Sequence, residues 1–253
     1  MEVQKKLKRF GPWVAVAAIA FLWGIAAGEY HVFPYQQFRM AKNLVDGEDG
    51  ARDPDVYIGS PKAVAVGVGD PLWGTRADVA MVGDSITAQG RWHEMFPGIS
   101  IVNRGVGGDT VGGGRERLPS ITAVEADTYF LMIGTNDALM DNPDAAILDH
   151  YAAVLDGLQA DGAEVYVHPI LQCGAIAQCT PAVHDKIDRL NAQITKLARQ
   201  KNAQIIDLNP ALTDEDGLKP ELTWDGLHLN SEGFRLWREA IGDEVEQSGK
   251  SRR

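Results

Sequence analysis

The sequence is short of cysteine, short of positive charge and without internal repeats. Cys173 and Cys179 are its only two cysteines, and so few soft ligands argue against a metal centre. Lys and Arg number 24 against 35 Asp and Glu, a formal net charge of -11, and no basic cluster occurs past residue 10. Nucleic-acid binding needs cations gathered on one face, so no nucleic-acid partner is expected. Glycine-rich "GVGGDTVGGG" has Thr110 where a dinucleotide fingerprint needs its third glycine, and no Gly-Lys-Ser/Thr follows to cradle a phosphate. "HEMFP", which starts at His93, lacks the second histidine of a zinc helix. Nothing here calls for a metal or an organic cofactor. What is present, 253 residues that are 45% hydrophobic and 23% charged, suffices for a sizeable core in one large or two small domains.

One run lacks charge altogether. Residues 10–28 contain no Asp, Glu, Lys or Arg and follow "MEVQKKLKRF", which carries four cations. A cationic flank before an apolar core marks an export signal. The run is longer than the roughly 7 to 15 apolar residues of a cleaved signal, and Trp13 and Trp23 sit near its ends, as interfacial aromatics would. We read residues 1–28 as an uncleaved signal anchor, with "IAAG" as the competing cleavage site of a signal peptide. Cationic flanks stay in the cytoplasm, so the remainder is expected across the cytoplasmic membrane: anchored by one N-terminal helix, or secreted or periplasmic if cleaved. That remainder holds 20 cations against 34 anions and is strongly acidic. In an oxidising compartment Cys173 and Cys179 can pair as a disulfide, but their spacing leaves open whether their Cβ atoms face each other.

Residues 29–75 are rich in Gly, Pro and Asp and read as a linker, with room for a short strand pair at "VYIG" and "AVAVGVG". Over residues 76–245 the pattern changes. The apolar runs "VAMV", "ISIV", "YFLMI", "AEVYVHPIL" and "AQIIDL" predict five buried strands. Between them, Ile147, Leu148, Tyr151, Val154, Leu155 and Leu158 form one helical stripe, and Val183, Ile187, Leu190, Ile194 and Leu197 form another opened by Pro181. Phe234, Trp237 and Ile241 carry a third, after which residues 246–253 are expected to be a loose tail. Strands alternating with helices imply parallel strands and right-handed crossovers, hence an α/β fold with helices on both faces of the sheet. Ligands then bind beyond the carboxyl ends of the strands.

Those ends carry the polar candidates. "GDSIT" follows the first run, "NRGVGGDT" the second and "GTND" the third, and "TWDGLHLN" enters the last helix. Gly83-Asp84-Ser85-Ile86-Thr87 ends in Thr where a G-x-S-x-G elbow has Gly, so that motif fails. Alone, Ser85 reads as a turn or cap residue. In company it reads differently: Ser85, His228 and Asp225 supply the hydroxyl, base and carboxylate of serine acyl transfer, and the three-residue step from Asp225 to His228 fits one local turn. Gly108 lets backbone approach closely and Asn136 offers an N–H, so these and the Ser85 amide are candidate oxyanion donors. Asp84 and Asp137 read as structural, bonding to loop amides, and His184 as a helix face exposed to solvent. Trp73, Trp92 and Trp224 read as core or rim, with Trp224 set apart by its adjacency to Asp225.

"GDS", "NRGVGGDT", "GTND" and "DGLH", in this order from residue 83 to 228, resemble the four blocks of the SGNH, or GDSL, hydrolase family. The resemblance covers roughly residues 76 to 245 and implies a flavodoxin-like, three-layer α/β/α sandwich around a parallel sheet of about five strands. It implies Ser85 as nucleophile, Asp225 and His228 as its partners, and Ser85, Gly108 and Asn136 around the oxyanion. "NRGVGGDT" and "DGLHLN" look most like the branch with platelet-activating-factor acetylhydrolase-type and carbohydrate-acetylesterase-type members. The expected activity is hydrolysis of short-chain acyl or O-acetyl esters of a small molecule, carbohydrate or lipid. An O-acyltransferase acting on envelope glycans and a catalytically silent carbohydrate-binding module are the competing readings.

Overall fold

The computed structural model describes residues 76–176 and 178–250. The expected anchor at 1–28 and the linker with its strand pair lie outside the described residues, as does Trp73. Among the described residues, no helix is long and apolar enough to cross a membrane.

All five residues of Val79–Gly83 (β1) are buried, which is what an unbroken apolar run achieves only between two helical layers. The chain then makes two one-turn helices, Ser85–Ala88 (α1) and Trp92–Met95 (α2), before the edge strand Ile101–Gly105 (β2). Val111–Glu116 (α3) and Leu118–Thr122 (α4) lead to Thr128–Met132 (β3), which is also wholly buried. Thr135–Leu139 (α5) and Asp144–Gln159 (α6) precede Glu164–Val167 (β4), and Pro181–Gln200 (α7) precedes Gln204–Ile205 (β5). Asn209–Leu212 (α8), a two-residue hairpin of Thr213–Asp214 (β6) and Gly217–Leu218 (β7), and the long Ser231–Lys250 (α9) complete the described chain.

The large sheet has the order β2-β1-β3-β4-β5, with every pair parallel. It is the three-layer α/β/α sandwich expected. From β1 the chain steps outward to β2 and then crosses back to β3. The carboxyl ends of β1 and β3 therefore flank the point where strand order reverses, the usual ligand crevice of such sheets.

Strand alternation sorts the side chains into two cores. Ala80, Val82, Tyr129 and Leu131 join Tyr151, Leu155, Leu190 and Ile194 of α6 and α7. Val79, Met81, Phe130 and Met132 join Trp92, Trp237, Ile241 and Val245 on the α9 side. The predicted stripes face these cores, and α6 begins and α7 begins where Asp144 and Pro181 suggested.

The tail expectation needs correction as far as Lys250, because α9 runs through residues 246–250 instead of fraying. Ser248 is buried, its hydroxyl donates to Glu244 O at 2.9 Å and lies 2.8 Å from Thr128 Oγ1. That contact holds the last turn to the start of β3. The remaining residues, 251–253, lie outside the described part.

Candidate active site

Asp84, directly after β1, keeps extended geometry and caps α1, its Oδ1 accepting the Ile86 N–H at 2.9 Å. The neighbouring carboxylate thus takes the capping duty that a lone serine would have had. Ser85 becomes the first residue of α1 with its hydroxyl free for other use. Asp84 is buried, and desolvation raises its pKa to about 6 against the opposing pull of the Ile86 amide and the Thr135 hydroxyl.

Asp225 and His228 come from a tight excursion whose ends pair antiparallel at Thr223 and Leu229. Thr223 ties it together: its hydroxyl donates to His228 O at 2.6 Å and accepts the Gly226 N–H at 2.9 Å. Asp225 Oδ1 accepts the Leu227 and His228 amides at 2.9 and 2.7 Å, while Oδ2 lies 2.7 Å from His228 Nδ1. Holding Nδ1–H on the carboxylate leaves Nε2 as the acceptor, and the Ser85 hydroxyl lies 2.9 Å from it. Burial pushes the Asp225 carboxyl up, but bonds from the His228 amide, the imidazole and the Leu227 amide outweigh it and hold the group below the usual range. The structure therefore brings together Ser85, His228 and Asp225 in one hydrogen-bonded line.

The oxyanion candidates Gly108 and Asn136 are brought together at Asp109. Asp109 N–H returns to Val106 O at 3.1 Å, closing a turn with Gly107 and Gly108 at its tip. Gly108 has φ +76°, a conformation that costs an L-residue roughly 1–2 kcal/mol. Asn136, in the first turn of α5, donates one Nδ2–H to Asp109 O at 2.8 Å, which leaves its second N–H available. Turn and amide are thereby coupled. Removing one donor from such a hole typically costs about 10²- to 10³-fold in kcat.

Two supports lie under this turn, and of these the Asp109–Arg117 pair was not read from the sequence. Arg117 Nε donates to buried Asp109 Oδ2 at 2.6 Å and its Nη2 donates to Gly83 O at 3.1 Å, tying the glycine turn to the end of β1. Asp137 accepts the Val111 amide at 2.9 Å and the Asn142 side chain at 3.1 Å. Asp84 and Asp137 are thus both bonded to backbone amides, as expected, but these belong to the first turns of α1 and α3 and not to loops. Nothing in the spacing from Asp109 to Arg117 marks the pair, because an ion pair across a loop and a helix has no fixed sequence period.

Cys173 and Cys179 are joined as a disulfide, their Cα atoms 6.0 Å apart. His184 is not the solvent-exposed helix face expected: it is half-buried with Nε2 3.3 Å from Cys179 Sγ. These three form a cluster of metal-ligand type among the described residues, but bonding the two sulfurs to each other leaves the imidazole as its one ordinary donor. Trp92 is core, whereas Trp224 is 65% exposed and stacks on His228, with centroids 5.5 Å apart and planes at 15°.

The family model for GDSL-like lipases and acylhydrolases matches residues 64–236. A Streptococcus pneumonia protein provisionally assigned as a platelet activating factor superposes with a TM-score of 0.64 at 25% identity, over 84% of this chain and 100% of its own. A GDSL-like lipase from Bacteroides thetaiotaomicron gives 0.61 at 20% identity, over 67% of this chain and 88% of its own. An acetyl xylan esterase gives 0.55 at 22% identity, over 66% and 98%. No curated protein matches the sequence. With the four sequence blocks gathered at one sheet edge and the family match spanning more than half the chain, the protein belongs to the GDSL-like lipase/acylhydrolase family and is a carboxylic ester hydrolase.

Proposed function

We propose that the protein cleaves short-chain acyl or O-acetyl esters of carbohydrate or lipid through an acyl-enzyme on Ser85. The observation that carries this reading is the line from Ser85 Oγ to His228 Nε2 at 2.9 Å and from His228 Nδ1 to Asp225 Oδ2 at 2.7 Å. Ser85 Oγ attacks the ester carbonyl while its proton passes to His228 Nε2, and Asp225 stabilises the resulting imidazolium. The carbonyl oxygen becomes an oxyanion held by the Ser85 and Gly108 amides and by Asn136. Collapse expels the alcohol, which takes the proton from Nε2. Water then adds to the acyl-serine with His228 as base, releasing the acid and restoring the hydroxyl.

Ser85→Ala and His228→Ala test the mechanism. Each should lower kcat on a short-chain p-nitrophenyl ester by on the order of 10⁶-fold while far-UV circular dichroism stays unchanged. Near-normal turnover in either variant would remove the residue from this role. Adding a sugar acceptor and analysing products separates hydrolysis from acyl transfer.

The reading extends to location. The cationic flank and uncharged run of residues 1–28 support export, and the Cys173–Cys179 disulfide fits an oxidising compartment.

A further inference from the structure

Beside the catalytic line lies a groove of about 620 Å³, bordered by Trp224, Met95 and Phe234 and by the polar chains of Gln89, Asn230 and Arg238. Neither Ser85 nor His228 borders it. Trp224 both borders the groove and lays its indole against the His228 imidazole. At 65% exposure it is, with Met140, one of two large apolar side chains left open among the described residues. The Thr223–Leu229 pairing and the Asp225–His228 bonds already fix the segment, so burial does not explain an indole at this position.

We propose that this groove binds a sugar ring of the substrate other than the one carrying the reacting ester, so that the substrate is an acylated oligo- or polysaccharide. The inference rests on the serine esterase reading and narrows its substrate class. Three observations lead to it. A flat, exposed indole offers a face to the C–H side of a pyranose, whose desolvation and contact favour stacking as they do for other rings. Asn230 is spent on backbone partners, but Gln89 and Arg238 offer amide and guanidinium donors to the hydroxyls on a sugar's rim. With Arg91, Glu94 and Arg235 they interrupt the apolar surface of Met95, Leu229 and Phe234 along which an acyl chain would lie. Finally, the groove begins one aromatic layer away from His228, and the imidazole meets Ser85 edge-on at Nε2. A ring resting on Trp224 in the groove therefore lies in a space that neither Ser85 nor His228 borders, away from the reacting carbonyl. The ester must hang from a neighbouring ring.

The test compares purified protein on O-acetylated xylo- and cello-oligosaccharides of one to four rings, with vinyl acetate as an ester that has no ring. In at least one series kcat/KM should rise roughly tenfold from one ring to three, mainly through KM, which is the order of one stacked ring. Trp224→Ala should cancel that rise and Trp224→Phe should keep most of it. In the Ser85→Ala background, titration with the matching unacetylated trisaccharide should quench indole fluorescence, and Trp224→Ala should abolish the response. Equal kcat/KM across ring number in both series, with vinyl acetate still cleaved, overturns the proposal and leaves the esterase reading intact. So does a Trp224→Ala variant that loses activity on vinyl acetate and trisaccharide in the same proportion through kcat, because Trp224 would then only hold His228. Failure to cleave any of these esters sinks the hydrolase reading and this one with it.

Discussion

Asp225 spends its two oxygens on different tasks: Oδ1 shapes the turn by accepting two amides, and Oδ2 orients the imidazole. Asp225→Asn keeps an acceptor for the turn but can place an N–H donor against Nδ1, favouring the wrong tautomer. It should lower kcat about 10⁴-fold, as for a comparable triad aspartate, with little change in unfolding midpoint. Stopped-flow or steady-state rates beside a denaturant melt would show whether the two effects separate. The residues of the hydrogen-bonded line, Ser85, His228 and Asp225, were legible because each stands directly after an apolar run or at a helix entry, and the fold gathers such positions. Asp109 and Arg117 were not, since their meeting depends on how α3 and α4 turn back under the glycine loop. His168 also escaped notice: desolvation lowers its pKa to about 4, Nδ1 donates to Ile206 O at 2.8 Å and Nε2 accepts the Trp237 indole. Its partners lie just after β5 and on α9, far away in sequence.

Among elements, the disulfide loop has a clear neighbour. Gly174 N–H donates to Gly226 O at 2.7 Å, and a Cβ on Gly226 would stand 2.6 Å from Ile176 Cγ2. The loop closed by Cys173 and Cys179 therefore packs on the turn that holds Asp225 and His228. Replacing both cysteines with serine should lower unfolding free energy by about 2 kcal/mol, the chain-entropy value for a loop of this size. It should also reduce kcat severalfold by loosening the turn. A variant that loses stability in urea but keeps full kcat would show that loop and turn are mechanically independent. The long helices could be read in advance because each buries one stripe along its length. The hairpin of β6 and β7 could not, as two-residue strands have no period to detect. Likewise "AQIIDL" contributes only Gln204 and Ile205 to β5, because Leu208 turns into the α9-side core.

At the scale of the molecule, buried acids set a pH dependence. Desolvation raises Asp137 to about 7 and Asp84 to about 6, from 3.8. Between the ordinary carboxylate range and those values the folded protein holds protons that the unfolded chain has released, so these groups reduce stability as pH rises from about 4 to 7. His168 acts oppositely between about 4 and 6.5, where the unfolded chain binds the extra proton. The informative quantity is thus a difference between proteins. Asp137→Asn should gain on the wild type steadily from pH 4 to pH 7, by up to about 1.4 kcal/mol per unit, on top of a constant offset from its altered bond to the Val111 amide. Denaturant melts at four pH values would show a flat difference if Asp137 does not titrate in this window. The sheet's strand count and parallel sense were readable from alternation, while its closure by the last turn of α9 was not, because Ser248 is polar and sits in a segment with no apolar stripe.

Ser85 and His228 are 143 residues apart in the chain yet 2.9 Å apart in space. A refolding molecule can form β1 and cap α1 early, but the proposed base, His228, arrives only after the C-terminal helix has docked, and contacts of such sequence separation form slowly. Catalysis should accordingly be the last property to return after dilution from denaturant, trailing the recovery of helical circular dichroism. If the two recover with one rate constant, assembly of the crevice is concerted with formation of the sheet.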